Sequence, residues 1–142
     1  MTESEFLLRV FVALFAGLLI GFERQWHHKS AGLRTTILVA LGSAFYVLLS
    51  ILITKSNGEV TRIIGQIVTG IGFLCAGVIF KEGISVHGLT TAGTIWCSSA
   101  IGCLAGAGYF FEALIATTLV LLVNILLKPV DEWLTNRNPN EK

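Results

Sequence analysis

Charged residues are scarce in this sequence: Asp, Glu, Lys and Arg together make up 13% of 142 residues, and the net charge is +1. A balance so close to neutral gives no reason to expect nucleic-acid binding. Hydrophobic residues instead make up 54%, and the mean hydropathy is +0.76, above the range of a soluble domain. The composition therefore indicates a membrane protein.

Several signatures of catalysis and metal binding are also missing. No GxxxxGK[ST] phosphate loop occurs, and the three cysteines show no CxxC or other metal spacing. No Asp or Glu falls in the middle of a long apolar segment, so a carboxylate-lined magnesium pathway is not expected. The histidines lie near segment ends, and no nucleophile–His–acid set can be assembled. We therefore predict no enzyme activity, no cofactor and no metal site, and we interpret the cysteines as buried packing residues.

Five apolar segments approach or reach the roughly 20 residues that a membrane-spanning helix needs. They cover residues 6–22, 35–54, 63–80, 88–105 and 108–127. The first is not typical of a signal peptide, because Glu3 and Glu5 precede it. We predict an all-α integral membrane bundle of five transmembrane helices over residues 1–130. A short polar cytoplasmic tail, 131–142, follows.

The distribution of Lys and Arg predicts the orientation, because cytoplasmic loops are enriched in both. One side of a five-helix protein would carry Arg9, Lys55 and Arg62. The other side would carry Arg24, Lys29, Arg34, Lys81, Lys128, Arg137 and Lys142. We therefore predict an N-terminus outside and a C-terminus in the cytoplasm. Arg9, near the start of its helix, is expected to extend its side chain to the interface.

Polar residues gather around residues 21–35, GFERQWHHKSAGLRT, between two apolar segments. The predicted topology brings the third connection and the start of the fourth helix to the same rim. The candidate functional residues, called the rim cluster below, are Glu23, Arg24, Gln25, Lys29, Arg34, Thr35, Lys81, Glu82, His87, Thr90 and Thr91. We expect Glu23 to pair with Arg34. The alternative is a solvated loop that only sets topology.

Two further patterns concern the helices. A polar stripe on the fourth helix holds Thr94, Trp96, Cys97 and Ser98, and its Thr90–Thr94–Ser98 face is expected in the bundle interior, against the third helix. Small residues at helical spacing predict close helix packing, either inside the bundle or between two copies in a homo-oligomer. They are Gly17, Gly21, Gly72, Ala76, Gly102 and Gly106.

Three motifs together resemble the membrane domain of the MgtC/SapB family. They are GFERQWHHKSAGLRT, RIIGQIVTGIGFLCAGVIFKEG and VHGLTTAGTIWCSSAIGCLAG, and the resemblance runs from about residue 17 to residue 128. Many family members continue into a cytoplasmic domain, in whose place this sequence has the short tail. The sequence also departs from the usual family residues, with Cys75 in place of glycine, His87 in place of arginine and Gly93 in place of alanine.

The resemblance implies a bacterial inner-membrane protein of the low-magnesium response that, in pathogens, supports survival inside host cells. It also implies a membrane-protein partner, the F-type ATP synthase or another transporter, which the protein would regulate within the lipid bilayer. The alternative is a small-solute or ion transporter or channel whose pathway follows the polar stripe.

Overall fold

Five helices and one small hairpin make up the chain in a computed structural model that describes residues 1–53 and 57–137. The helices are α1 Glu3–Trp26, α2 Leu33–Ile53, α3 Asn57–Val78, α4 Leu89–Ala107 and α5 Phe110–Arg137. The strands are β1 Phe80–Glu82 and β2 Ser85–His87. The predicted all-α bundle of five helices is confirmed.

Four of the helices, α1, α2, α3 and α5, are long and apolar enough to cross a membrane. The fourth, α4, carries Thr90, Thr94, Ser98 and Ser99 and does not belong to that group. It is instead the central helix, because it contacts α1, α2, α3 and α5. A helix with this many hydroxyl groups is most stable where its neighbours shield it from lipid.

Local capping determines where several helices begin and end. Thr2 and Glu5 form a capping box at the start of α1: the backbone N–H of Glu5 donates to Thr2 Oγ1 over 3.3 Å, and that of Thr2 donates to Glu5 Oε2 over 2.9 Å. Gly108 ends α4 in the left-handed region with a φ of 93°. Its N–H and that of Tyr109 donate to carbonyl groups of the last turn of α4.

Close helix packing joins α2 to both α1 and α4. A Cβ atom added at Gly17 would lie 2.9 Å from Ile37 Cα, and one added at Gly106 would lie 2.8 Å from the carbonyl oxygen of Ala44. A Cβ added at Gly21 would collide with Leu33 and Thr36, and one added at Gly102 would collide with Ala40. Because these glycines lack a side chain, the backbones of α1 and α4 approach α2 from two sides.

The third helix packs differently from the prediction. A Cβ added at Gly72 meets no described atom within 4 Å, and Ala76 is exposed. The expectation that these two residues mediate close packing inside the bundle is therefore wrong, and packing between two copies stays a prediction. The contact of α3 with the bundle comes instead from Ile71 and Cys75, which lie in a cluster of buried residues with Ala92 and Ile95 of α4.

The hairpin between α3 and α4 was not predicted. Its antiparallel register pairs Phe80 with His87 and Lys81 with Val86, and Gly83 adopts a φ of 59° in the turn. The helix α5 continues through Pro129 to Arg137, so the first residues of the predicted polar tail are helical, and its cytoplasmic location stays a prediction. Lys55 and Lys142, used for the predicted orientation, lie outside the described residues, and that orientation stays a prediction.

Candidate functional site

The rim cluster lies at one end of the bundle, where α1 and α3 end and α2 and α4 begin. Contacts across this end join the helices. Gly21 of α1 lies against Leu33 of α2, Gly88 lies against the carbonyl group of Val78, and Arg24 of α1 reaches Thr91 of α4. This end is called the charged end below, and the end near Arg9 is called the opposite end.

Glu23 lies at the charged end and is only 9% exposed. Its Oε1 is 2.9 Å from His27 Nδ1 one turn later, and its Oε2 accepts a hydrogen bond of 3.2 Å from Asn124 Nδ2 of α5. The expected ion pair of Glu23 with Arg34 is wrong: among the described residues Arg34 forms no ion pair and is exposed. A partner four residues along the same helix is closer than one beyond the loop.

Arg24 is the largest fully buried side chain of the described residues, with 2% exposure. Its Nη2 donates a short hydrogen bond to Thr91 Oγ1 in the first turn of α4, and its buried Nε has no hydrogen-bond partner. Adjacent helix positions point about 100° apart, so Glu23 turns toward α5 while Arg24 turns toward α4. The two neighbouring charges therefore contact different helices.

The remaining members of the rim cluster are exposed. Gln25 extends back over the loop, with its side-chain oxygen against Gly32. His87 stacks on Phe80 across the hairpin with 5.3 Å between ring centroids. The exposed members are Gln25, Lys29, Arg34, Thr35, Lys81, Glu82, His87 and Thr90. The cluster thus consists of a buried part around Glu23 and Arg24 and an exposed part with three cations.

The polar stripe on α4 is only partly internal. Thr94 is 5% exposed and Ser98 is 0% exposed, while Thr90, Trp96 and Cys97 are exposed. The interpretation of all three cysteines as buried is therefore wrong for Cys97, although Cys75 and Cys103 are buried.

The direction of the buried part also differs from the prediction. Thr94 and Ser98 share a helical row with Ile101 and Ala105, which belong to the core formed with α1, α2 and α5. They do not face α3, as was expected. Each hydroxyl donates to a carbonyl group of its own helix, Thr94 to Thr90 and Ser98 to Thr94, over 2.9 Å. The hydroxyls are thus satisfied without a solute or an interhelical partner.

Two clefts flank α3 on either side, and Ile67 and Ile71 line both. The larger, about 670 Å³, runs between α2 and α3 and is lined mainly by aliphatic side chains, with Thr35, Ser43, Tyr46 and Gln66 as the polar contributors. The smaller, about 350 Å³, lies between α3 and α4 beside Trp96. Neither is lined by Thr94, Ser98, Glu23 or Glu82.

Arg9 at the opposite end contacts the end of α4, and its predicted extension to the membrane interface stays a prediction. Arg9 is half-buried, and its Nη1 donates a hydrogen bond of 2.8 Å to the carbonyl oxygen of Gly106 in the last turn of α4. A cation at the C-terminal end of a helix interacts favourably with the helix dipole.

Two residues of the site, His27 and Asn124, were not among the candidate residues predicted from the sequence. Asn124 was recognisable as a lone amide in the apolar stretch of α5, at a depth that matches the end of α1. His27 follows Glu23 by one helical turn, a spacing that favours contact.

The fold and the site together define a multi-pass membrane protein with a charged end. The sequence model of the MgtC family matches residues 10–133, and the chain belongs to that family.

Curated relatives agree with this membership. Protein MgtC of Brucella abortus is 53% identical over 118 residues, which cover 83% of this chain and 49% of that protein. Protein MgtC of Salmonella typhimurium is 52% identical over 123 residues, covering 87% and 52%. An uncharacterised protein of Synechocystis is 49% identical over 137 residues, covering 96% and 58%. The chain spans about half the length of these relatives, and no solved structure matches it significantly.

Proposed function

We propose that this protein is a regulator in the bacterial inner membrane that acts on other membrane machinery during adaptation to low magnesium, and in pathogens during survival inside host cells. It transports no solute and catalyses no reaction itself. Membership in the MgtC family supports the biological setting. Relatives at 52–53% identity carry the name protein MgtC.

One observation carries the choice of a regulator over a transporter. The hydroxyl groups of α4 that would line a pathway are buried and bonded within their own helix, at Thr94 and Ser98. A conducting path needs polar groups that water or an ion can reach. Buried hydroxyl groups that are already bonded within their own helix favour action through a surface instead.

The exposed part of the rim cluster is the proposed contact surface. Lys29, Arg34 and Lys81 are exposed at the charged end, where they attract an acidic partner surface. With the predicted orientation, this surface faces the cytoplasm. The F-type ATP synthase and membrane transporters are the partners that the family resemblance suggests.

Flux through liposomes that contain only this protein tests the proposal. Magnesium entry, followed with an enclosed fluorescent indicator, should match that of empty liposomes, while a magnesium channel reconstituted in parallel gives a strong signal. Flux above the empty vesicles would favour the alternative of a small-solute or ion transporter. The cleft beside α3, with Ser43 and Gln66 on its wall, is the feature that supports this alternative.

A second experiment tests the regulatory role. ATP-driven proton pumping is measured in inverted membrane vesicles with and without this protein. We expect lower pumping when the protein is present, and recovery when Lys29→Glu and Arg34→Glu are combined, since charge reversal weakens a steered contact. Pumping that is unchanged by the wild-type protein would remove the ATP synthase from the list of partners.

A further inference from the structure

Two arginines of α1 reach opposite ends of the central helix α4. Arg9 donates to Gly106 at the C-terminal end, where the helix dipole is negative and carbonyl groups accept hydrogen bonds. This contact is favourable by itself. It explains how a cation is accommodated in an apolar helix.

Arg24 occupies the reverse situation. Its guanidinium group contacts Thr91 in the first turn of α4, where the helix dipole is positive and backbone N–H groups point outward. The helix has no side-chain cap at Gly88. The positive guanidinium group of Arg24 therefore meets the positive end of the α4 dipole, and the Arg24 side chain is only 2% exposed. This arrangement is unfavourable unless a negative group joins it.

The neighbouring carboxylate of Glu23 attracts Arg24 electrostatically but forms no hydrogen bond or ion pair with it. Both oxygens of Glu23 are occupied, one by His27 and the other by Asn124. Among the described residues no carboxylate forms an ion pair with Arg24, and its Nε lacks any hydrogen-bond partner. A buried cation whose hydrogen bond goes to a neutral hydroxyl group retains unused donors, and a nearby carboxylate without a direct contact offsets its burial only in part.

We infer that Arg24 and the first turn of α4 bind a phosphate-type oxyanion. The guanidinium offers a planar set of donors that matches phosphate oxygens, and a helix N-terminus adds backbone N–H groups and a positive dipole. Thr90 is exposed in the same turn and marks the side from which the anion enters. The phosphate comes from the headgroup of an anionic lipid or from inorganic phosphate.

Thermal unfolding of the purified full chain distinguishes these sources. In nanodiscs, phosphatidylcholine alone is compared with phosphatidylcholine containing phosphatidylglycerol. In a neutral detergent, sodium phosphate is compared with sodium chloride at matched ionic strength. A ligand that binds only the folded state raises the unfolding midpoint. A rise with phosphatidylglycerol only identifies the lipid headgroup, a rise with phosphate only identifies the soluble anion, and a rise with both identifies the shared chemistry.

Arg24→Gln is the decisive variant, and Arg34→Gln is its matched control. Both remove one arginine from the charged end, but Arg34 is exposed. A hydrogen bond to a charged group contributes about 1.5–3 kcal/mol, so Arg24→Gln should raise the apparent dissociation constant for the anion by roughly tenfold or more. Arg34→Gln should leave it nearly unchanged. Arg24→Lys, which keeps the charge but loses the planar donors, should bind with intermediate affinity.

Three outcomes would overturn the inference. They are a midpoint that neither phosphatidylglycerol nor phosphate raises, equal losses of binding in Arg24→Gln and Arg34→Gln, and full binding by Arg24→Gln. If Arg24→Gln does not fold, native mass spectrometry of the wild-type protein decides instead, in phosphatidylglycerol and in phosphate. We expect one anion to be retained per chain when phosphatidylcholine is not, and retention of neither anion would contradict the site.

Discussion

Two sets of helix glycines in this molecule have opposite surroundings. Gly17, Gly21, Gly102 and Gly106 lie against the backbone of α2, so that an added Cβ would overlap it or nearly do so. Four glycines of α3 have no described atom within 4 Å of an added Cβ: they are Gly65, Gly70, Gly72 and Gly77. Small-residue spacing therefore indicates that a helix can be approached closely, but not that it is.

The difference divides the bundle into two parts. The helices α1, α2 and α4 form a tightly packed unit through glycine and alanine contacts. Within the part of α3 whose side chains are described, Ile71 and Cys75 are the buried residues, and clefts lie on both sides of the helix. The first part should tolerate almost no increase in side-chain volume, and the second should tolerate much more.

Gly102→Val should have the largest effect of the substitutions considered. The new side chain would collide with the backbone carbonyl of Ala40, which cannot move without separating α2 from α4. Overpacking in a core usually costs about 1–3 kcal/mol, and a collision with backbone belongs at or above the upper end. We expect the free energy of unfolding, measured by denaturant titration in mixed micelles, to fall by about 3 kcal/mol or more.

Gly72→Val is the matched control, on the helix with open glycines. The Cβ atom of the new side chain would meet no described atom within 4 Å, so the free energy of unfolding should change by less than about 0.5 kcal/mol. A large loss here, similar to that of Gly102→Val, would show that α3 packs against something as closely as α4 packs against α2. The division of the bundle would then be wrong.

The number of helices, their approximate limits and the gathering of charge between α1 and α2 could be predicted because each depends on local composition. The partners of individual side chains could not. Glu23 was expected to contact Arg34, yet its orientation on α1 brings it to His27 and to Asn124 on α5. Which neighbour a helix face meets depends on how all five helices pack. Neither hydropathy nor spacing contains that information.

Asn124→Leu should have the next largest effect, because α5 is joined to the tight unit through a charged partner. The substitution removes the hydrogen bond that Asn124 donates to Glu23 Oε2. Hydrogen bonds to charged groups contribute about 1.5–3 kcal/mol, which sets the expected loss in the free energy of unfolding. Thr118→Val on the same helix is the control, since its exposed hydroxyl donates only to Leu114 of its own helix. Equal losses in the two variants would argue against a role of Asn124 in fixing α5.

Arg9→Met should have a smaller effect at the opposite end. It removes a cation from the C-terminal end of α4 and a hydrogen bond to Gly106, while it keeps much of the aliphatic length. Interactions of this kind contribute roughly 0.3–1 kcal/mol, and up to ~2 kcal/mol when partly buried. We therefore expect a loss of about 1 kcal/mol in the same titration. Arg9→Lys should recover part of it, and an unchanged stability in Arg9→Met would show that the dipole contributes nothing here.

The smallest expected effect concerns Ser43 and Ser99, whose hydroxyl groups lie 2.7 Å apart and join α2 to α4. Both are buried, and each lines one of the clefts beside α3. Hydrogen bonds between membrane helices average about 0.6 kcal/mol in double-mutant cycles, because the unfolded chain also finds partners. A cycle with Ser43→Ala, Ser99→Ala and the double variant should give a coupling near that value. A coupling energy of zero would mean that the hydrogen bond does not stabilise the contact of α2 with α4, which would then depend on the glycine contacts. A coupling energy well above 1 kcal/mol would mean that the hydrogen bond contributes more than is usual between membrane helices.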